Sequence, residues 1–527
     1  MKKPFLDIPF FNFKNKSSFL HILFLIFLLV TTVQGCKTAK IPEVKNDDIT
    51  TIKLIQVNDV YEIAPLSGGQ YGGMARVAHI SDSIKKQFPN SYLVMAGDFL
   101  NPSLLGTLKV DGKRVKGKQM IEVMNAMEFD LATFGNHEFD LKESELQERL
   151  NESDFEWVSA NVFQKKGDNI KSFYRVKNGD SIRIPETIFY DIEIGEEYPL
   201  RLGFYSVTVD SNPVDYVYYA DYSLEARSAY TSLQQSKSDI IIGLTHLAIE
   251  EDILVAEDLL ETDLIMGGHE HVNMMVPAGN TFVAKADANA KTIYVHTLTY
   301  NKKTEQITRT SQLVDINDKV PSLPRVKAIV DKWENILNTE IKQVIDNPDE
   351  IIYTTKVPLD ATDKTGRSTQ SNLGAFFTEA MAKGFDAPTE LAFVNGGSFR
   401  LDDKLEGDVT SIDIFRVLPF GGNVQRVEMT GALLKEILSY GESRAGTGAY
   451  LQRYNLSKSE NGDWLALSKP IENTKIYTVA LSDFLLKGFD IPFLTEKNPG
   501  VKSVYIPKAT EPASDIRKAI IEYMKTL

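Results

Sequence analysis

Five apolar runs in the first half of this chain end in short polar loops, and this pattern restricts the fold more than any other feature. The runs cover residues 52–57, 92–96, 129–134, 240–244 and 264–266. Amphipathic, helix-like stretches at 75–87 and 119–127 separate some of them. Repetition of strand, polar loop and helix predicts an α/β sandwich, in which the loops after the strands carry the functional side chains.

Side chains of the kind that bind metals stand at or just after the ends of these runs. They are Asp59, Asp98, Asn136, His246, His269 and His271. Carboxylate, amide oxygen and imidazole groups suit two divalent ions such as Mn²⁺, Zn²⁺, Co²⁺ or Fe²⁺. Two ions about 3.5–4 Å apart need a bridging carboxylate, and Asp98 stands between the other candidates in chain order. Singly, each residue is also typical of a turn or a core; jointly they predict a two-metal site.

The loop Gly135-Asn136-His137-Glu138-Phe139-Asp140 adds a candidate catalytic pair. His137 is a candidate acid, and Asp140 is close enough in sequence to orient its imidazole. Four of the chain's seven histidines fall in the loops that follow the apolar runs. This concentration favours a common site over scattered structural roles.

Length and charge limit the architecture and the class of partner. A chain of 527 residues is too long for one core, so we expect two large domains. Prolines 321 and 324 open a charged helical stretch, which divides the chain into a first domain at 50–320, a linker at 321–350 and a second domain at 351–527. The net charge of −14 argues against a nucleic-acid polymer as partner.

The N-terminus reads as a targeting segment rather than as part of the fold. Lysines at positions 2, 3, 14 and 16 precede an apolar run at 19–33, which is short for a membrane span and typical of a signal peptide. The only cysteine, Cys36, follows Gly35 and resembles the lipidated residue of a bacterial lipoprotein. We therefore predict a leader at 1–36, a tether at 37–49, and an exported, membrane-anchored protein. The alternative is an incidental cysteine behind an ordinary signal peptide.

Glycine-rich loops in the second domain suggest a place for an anionic, flat ligand. Arg400 ends the run Asn395-Gly396-Gly397-Ser398-Phe399-Arg400, and its planar guanidinium suits a phosphate. Phe420 and Phe484 lie in two further loops and would stack on a base, at about 1–3 kcal/mol per base. Standing alone, the arginine would be a surface residue and the two phenylalanines core residues.

The order of these motifs resembles the calcineurin-like metallophosphatases and, more closely, the bacterial 5′-nucleotidase family, which includes UDP-sugar hydrolases and 2′,3′-cyclic phosphodiesterases. The resemblance covers nearly all of the chain after the leader. It implies a four-layer αββα catalytic sandwich, a linking helix and a second, α+β, substrate-recognition domain.

The resemblance also implies roles for individual residues. One metal would be held by Asp59, Asp98 and His271, and the other by Asp98, Asn136, His246 and His269. His137 and Asp140 would form the catalytic pair. The substrate would meet Arg400, Phe420, Asn423, Phe484 and Asp490.

Departures from the family pattern occur at Tyr61 and, in the second domain, at Ser482, Phe489, Ile491 and an extra glycine in the Phe420 loop. Tyr61 stands where the family has a histidine ligand of the first metal; a phenol with a reference pKa of about 10 is a poor ligand for Mn²⁺ or Zn²⁺, so we do not count it among the ligands. Phe489 replaces a glycine and adds bulk beside the expected base clamp.

We therefore predict a dimetal phosphoester hydrolase, specifically a 5′-nucleotidase that acts on nucleoside monophosphates outside the cytoplasm. The alternatives are hydrolysis of another phosphoester, such as a 2′,3′-cyclic nucleotide or a UDP-sugar, and a non-catalytic lipoprotein that binds nucleotides.

Overall fold

The computed structural model describes residues 48–196, 198–211 and 213–527. The expected leader at 1–36, its Cys36 and almost all of the tether at 37–49 lie outside the described residues. Among the helices of the described residues, none combines the length and the apolar character needed to cross a membrane.

The first sheet contains the strand that begins the first domain. Ile49–Val57 alternates its side chains between two cores: Ile52 and Leu54 belong to one buried cluster, and Ile55 and Val57 to another. The strand is therefore buried on both faces at these four positions. The strand order in this sheet is Gln306–Asp315, Thr292–Asn301, Ile49–Val57, Ser91–Met95, Leu131–Ala132 and Glu156–Trp157.

The second sheet packs its apolar face against the first. Leu202, Phe204 and Ile242 share a buried cluster with Ile52 and Leu54, so this cluster fills the space between the sheets. The strand order is Thr187–Ile192, Leu200–Thr208, Ile240–His246, Leu264–Gly267, Thr281–Lys285 and Met274–Ala278.

Helices cover the outer faces of both sheets. Tyr222–Gln235 and Ile249–Asp258 bury Leu233 and Val255 in a cluster with Ile241 of the second sheet. Met74–Gln87 and Lys118–Met127 cover the first sheet. The other helices of this domain are Leu104–Thr107 and Glu143–Glu152. The αββα layering expected from the sequence is confirmed.

Strands in the middle of each sheet run parallel. Ile49–Val57, Ser91–Met95 and Leu131–Ala132 are parallel neighbours in the first sheet. Leu200–Thr208, Ile240–His246 and Leu264–Gly267 are parallel neighbours in the second. The carboxyl ends of parallel strands meet at one edge, so the loops that follow them lie together.

Two sequence runs form less strand than their apolar character indicates. Of 129–134, only Leu131–Ala132 is a strand, and 157–162 is interrupted after Trp157. The interrupted segment crosses from one sheet to the other: the amides of Ser159 and Ala160 donate to Pro185 and Ser206. The amide of Val158 still donates to Ala132 of the first sheet, so the segment connects the two sheets instead of continuing one strand.

The first domain also contains small antiparallel sheets. They are Lys109–Val110 with Lys113–Arg114, Tyr174–Lys177 with Asp180–Arg183, and Val217–Tyr219 with Val162–Lys166 and Asn169–Ser172.

A helix at Pro324–Ile341 links the two domains. Proline at its first turn has the fixed φ that a helix start favours. Its buried face, including Val326 and Val330, packs in a cluster that contains residues of both domains, and the indole of Trp333 donates to Glu122 at 3.0 Å.

The second domain is α+β. Its five-stranded sheet has the order Leu451–Tyr454, Leu391–Asn395, Ile476–Ser482, Val424–Thr430 and Val501–Tyr505. Its helices are Asp363–Ser368, Asn372–Lys383, Ser411–Val417, Gly431–Ser443 and Ile516–Met524. Smaller sheets pair Ile351–Asp360 with Lys404–Thr410, and Leu456–Lys458 with Trp464–Ala466 and Lys469–Pro470.

Candidate dimetal site

The six side chains predicted to bind metals meet at the edge where both sheets end. Asp98 lies in the middle. Its Oδ2 is 3.2 Å from His246 Nε2, and it forms with Asp59 and His271 a group whose ligand atoms all lie within 4.8 Å of one another. A carboxylate that reaches both sides of the cluster occupies the position that a bridging ligand needs.

His246, His269 and Asn136 are the other three predicted ligands of the cluster. His246 and His269 have ring centres 5.3 Å apart. His269 Nδ1 lies 3.2 Å from Asn136 Oδ1. His246 Nδ1 donates to the carbonyl of Ala96 at 2.8 Å, so its Nε2 is the atom that faces the carboxylates. A hydrogen bond that fixes one ring nitrogen and presents the other is typical of metal-binding histidines.

Glu138 holds the loop that carries Asp98. Its carboxylate accepts hydrogen bonds from the amides of Asp98, Phe99, Leu100 and Gly135, at 2.6–3.1 Å. Burial and the nearby charge of Asp98 raise the pKa of Glu138 to about 7. The residue therefore ties two ligand-bearing loops together without itself facing the cluster.

Glycines let these loops approach one another closely. A Cβ at Gly135 would lie 2.1 Å from Asp98 Oδ1, and one at Gly268 would lie 2.5 Å from the carbonyl oxygen of Ala96. Neither distance is possible for a side chain. The glycines of the Gly-Asn-His and Gly-Gly-His motifs thus allow the ligand-bearing loops to share one small volume.

The charges of the protein groups favour a cation among them. Burial opposes charge on the imidazoles, yet the carboxylates of Asp98 and Asp59 raise the pKa of His246 to about 9, and those of Asp402 and Asp59 raise the pKa of His271 to about 10. Burial and the charge of His246 lower the pKa of His269 to about 4. A divalent cation bound by these atoms would displace the protons.

The donor set fits two divalent ions. The buried Nε2 of His246 has no hydrogen-bond partner among the described residues, although Asp98 Oδ2 and Asp59 Oδ1 lie 3.2 and 3.8 Å away. An imidazole nitrogen directed at two carboxylates without a hydrogen bond is suited to a metal. Mixed oxygen and nitrogen donors are suitable ligands for Mn²⁺, Zn²⁺, Co²⁺ or Fe²⁺.

Tyr61 lies inside the cluster as a buried phenol. Its hydroxyl is 2.9 Å from His271 Nε2 and donates to Asp98 Oδ2 at 3.3 Å. Burial and the charges of Asp98, Asp402 and Asp59 raise the pKa of Tyr61 well above its ordinary value. A phenol that keeps its proton acts as a hydrogen-bond donor.

His137 and Asp140 form the predicted pair. His137 Nδ1 is 2.9 Å from Asp140 Oδ2, and this oxygen also accepts from Asn101 at 2.8 Å and from Arg400 Nη2 at 3.0 Å. Burial opposes protonation, but the charges of Asp98 and Asp140 raise the pKa of His137 well above its usual range. The imidazolium form is the one that an acid needs.

A loop of the second domain closes over the cluster. The backbone carbonyl of Asp402 accepts a hydrogen bond from His271 Nδ1 at 2.5 Å. The side chain of Asp402 places Oδ2 at 3.7 Å from His137 Nε2. The next residue, Asp403, bonds Asn289 and Lys291 of the first domain at 2.9 and 2.7 Å. Asp402, Asp363 and His137 form a second group of close potential ligands, which contains none of the six predicted ones.

A cavity of about 530 Å³ in the second domain contains four of the five predicted substrate contacts. Arg400, Phe420, Phe484 and Asp490 line it, together with Arg367. Asn423 is not among the lining residues; its carbonyl accepts from the amide of Asp483 at 3.0 Å. Phe489, a residue that departs from the family pattern, packs against Phe484 with ring centres 5.5 Å apart and the ring planes tilted by 37°.

Sequence reasoning missed several residues that support the site. Glu138, Asp402 and Lys285 were not singled out, although Glu138 lies inside the most informative motif and Asp402 follows Arg400 by two positions. Lys285 Nζ bonds the carbonyl of Leu247 at 2.6 Å and pairs with Glu270. Only Glu138 carried a signal, its place between two predicted site residues.

Family models match both halves of the chain. Residues 52–273 match the calcineurin-like phosphoesterase model, and residues 351–496 match the model of the 5′-nucleotidase C-terminal domain. The two matched segments contain all thirteen residues predicted to bind metal or substrate or to catalyse.

Individual proteins resemble the chain over most of its length. A 5′-nucleotidase of Bos taurus is 26% identical over 476 residues, which cover 80% of this chain and 78% of that protein. The crystal structure of a 5′-nucleotidase precursor from Thermus thermophilus superposes with a TM-score of 0.63 at 21% identity, over 90% of this chain and 96% of that one. The sulfate thiohydrolase SoxB of Thermus thermophilus superposes with a TM-score of 0.60 at 14% identity, over 90% and 94%. These two likenesses show a shared fold.

Proposed function

The chain belongs to the calcineurin-like phosphoesterases that carry a 5′-nucleotidase C-terminal domain, and from that premise we propose that its substrates are nucleoside 5′-monophosphates. It is a dimetal phosphoester hydrolase. The proposal adds the identity of the ester, the roles of the individual residues and the location of the protein.

The contact between Arg400 and Asp140 carries the proposal. Arg400 lines the cavity of the second domain, and its Nη2 donates to Asp140 Oδ2 at 3.0 Å. The aromatic cavity thus opens beside His137 and the metal cluster. A ligand that bridges the two needs a flat apolar end and an anionic end, which is the chemistry of a nucleotide.

The cavity would hold the nucleoside. Phe420 and Phe484 present 63% and 38% of their surfaces to solvent, and both line the same cavity, so a ligand in it can reach their rings. They would stack on the base, and Asp490, anchored by Asn395 Nδ2 at 2.7 Å, offers an acceptor for ribose hydroxyls. Arg400 would pair with the phosphate.

Two divalent ions, when bound by Asp59, Asp98 and His271 and by Asp98, Asn136, His246 and His269, would supply positive charge to the phosphoryl oxygens and activate a water for attack on phosphorus. His137 would protonate the leaving 5′-oxygen through Nε2 as the phosphorus–oxygen bond breaks. Asp140 would keep Nδ1 protonated and the ring oriented. The products are the nucleoside and inorganic phosphate.

The test is metal-dependent phosphate release. Protein stripped with a chelator receives Mn²⁺, Zn²⁺, Co²⁺ or Fe²⁺ singly, and phosphate release is followed from AMP and from p-nitrophenyl phosphate. We expect release from AMP that requires metal and exceeds release from the aryl ester. Substitution of His137 by Asn should lower kcat by about 10²- to 10⁴-fold.

Other results would overturn the proposal in different ways. Faster hydrolysis of a 2′,3′-cyclic nucleotide or a UDP-sugar than of AMP would keep the metal chemistry and replace the substrate. Binding of AMP without hydrolysis under any of the four metals would indicate a nucleotide-binding protein.

We also propose that the chain is exported and held at a membrane by a lipid on Cys36. The support is the order of basic residues, apolar run and Gly35-Cys36 in the first 36 residues. Fatty-acid labelling of the protein in cells should be lost in Cys36→Ser. Equal labelling of the variant would contradict the anchor.

A further inference from the structure

The first metal position has few ligands from its own domain. Asp59, Asp98 and His271 supply them, with Asp59 Oδ1 at 3.3 Å from His271 Nε2. Tyr61 occupies the place of a further imidazole, and its hydroxyl lies 2.9 Å from the same nitrogen of His271. Three protein donors leave room for another.

A carboxylate of the second domain faces this place. Asp402 Oδ2 lies 3.5 Å from His271 Nε2, and the Asp402 side chain is 9% exposed. Its other oxygen, Oδ1, accepts from the amide of Asp363 at 2.7 Å. One oxygen is therefore anchored within the second domain while the other is directed at the cluster.

The backbone of Asp402 also acts on His271. Its carbonyl accepts from His271 Nδ1 at 2.5 Å, which directs Nε2 of that ring towards Asp59. Asp402 has a φ of +49°, in the left-handed region, as do Asp59 at +53°, Asp98 at +56° and His271 at +61°. Strained backbone of this kind persists where the surroundings require a particular side-chain direction.

The neighbouring Asp403 shows what an ordinary contact between the domains looks like here. Its two oxygens bond Lys291 at 2.7 Å and Asn289 at 2.9 Å, which satisfies its charge. Asp402 Oδ2 instead faces two imidazoles, His271 at 3.5 Å and His137 at 3.7 Å. The carboxylate of Asp403 is paired with a lysine, whereas that of Asp402 faces His271, an imidazole that gives up its proton when it binds a metal.

We propose that Asp402 is a ligand of the first metal, supplied by the second domain in place of the imidazole that is absent at position 61. The metal would then join the two domains through Asp59, Asp98 and His271 on one side and Asp402 on the other. Three carboxylates and one imidazole form an oxygen-rich set, which favours Mn²⁺ over softer ions. This inference rests on the dimetal site of the proposed function.

The test is equilibrium dialysis of the metal-free protein against Mn²⁺, with Asp402→Asn and the matched control Asp403→Asn. Asparagine keeps the shape of the side chain and the carbonyl that orients His271. We expect two Mn²⁺ per wild-type chain, a loss of at least about tenfold in affinity at one of the two in Asp402→Asn, and wild-type binding in Asp403→Asn. Circular dichroism of the metal-free variants should match the wild type.

Each other outcome is decisive. Wild-type affinities in Asp402→Asn would overturn the inference, and so would equal losses in both variants, because these would indicate a contact between domains and not a ligand. Fewer than two Mn²⁺ bound by the wild type would instead overturn the dimetal site itself.

A second variant tests whether Asp402 stands in for the missing imidazole. In the double variant Tyr61→His/Asp402→Asn we expect the weakened Mn²⁺ affinity to recover towards the wild-type value, because the new imidazole would restore a fourth donor. A double variant that binds Mn²⁺ no more tightly than Asp402→Asn would overturn this part of the inference. If Asp402 has a merely structural role, Tyr61→His should raise the Mn²⁺ affinity by the same factor in the wild-type background as in Asp402→Asn.

Discussion

Lys285→Met should lower the free energy of unfolding of the first domain and also weaken metal binding. Lys285 ends the strand Thr281–Lys285 and is fully buried. Its Nζ lies 2.7 Å from Oδ2 of Asp252, which is also fully buried, and it pairs with Glu270 as well. Methionine keeps most of the volume of the side chain but removes the charge.

The magnitude follows from the charge that stays behind. Among the described residues, Asp252 accepts one hydrogen bond besides the lysine contact, from the Thr245 hydroxyl at 2.6 Å. Removal of one partner of a buried ion pair costs about 3–5 kcal/mol. Glu270 stands between His269 and His271 in sequence, so release of its side chain should also lower Mn²⁺ affinity, by about 10- to 100-fold.

Urea unfolding followed by circular dichroism measures the first effect, and dialysis against Mn²⁺ measures the second. The double variant Lys285→Met/Asp252→Asn should regain part of the lost stability, because no charge remains buried. The control is Lys327→Met, whose partner Asp331 lies 2.7 Å away on an exposed helix face; it should cost at most about 1 kcal/mol. A loss below about 1 kcal/mol in Lys285→Met would refute the reasoning.

Three more predictions concern the strand-end loops, the protein interior and the cavity. Gly135→Ala places a Cβ 2.1 Å from Asp98 Oδ1 and should weaken Mn²⁺ binding at least about tenfold, whereas Gly106→Ala, whose Cβ has 3.6 Å of space, should not. Burial lowers the pKa of His296 to about 3, so below about pH 6.5 the unfolded chain takes up a proton that the folded chain refuses. Stability should therefore fall by about 2 kcal/mol between pH 7 and pH 5 from this residue, a loss that urea titrations of His296→Gln should lack. Phe484→Leu should lower kcat/KM for AMP roughly 5- to 150-fold and leave ribose 5-phosphate, which has no base, unchanged; equal losses on both substrates would contradict the stacking role.

The first domain was predictable because its site follows from the ends of parallel strands. Asp59, Asp98 and His246 come directly after buried, apolar runs, and the carboxyl ends of such strands meet at one edge. Residues that respond to packing across the sheets were harder to predict. The run 157–162 has the composition of a strand, yet the amide of Val158 bonds the first sheet and that of Ala160 bonds the second, which no local pattern reveals.

The parts of the site that sequence reasoning missed depend on contacts between distant segments. Lysine is almost never fully buried, so Lys285 reads as a surface residue until Asp252 and Glu270 are placed beside it. Asp402 follows a turn rather than a strand, and only the packing of the second domain on the first brings it to His271. Asn423 is a case in which the motif misled: it matches the family pattern in sequence, yet it does not line the cavity.

Anomalous X-ray diffraction from crystals grown with Mn²⁺ and a non-hydrolysable AMP analogue tests the central claim most directly. The account predicts two Mn²⁺ peaks on either side of the Asp98 carboxylate, with the base of the analogue between Phe420 and Phe484 and its phosphate group beside His137 and Arg400. A single peak, peaks away from Asp98, or an analogue bound outside the cavity would contradict it.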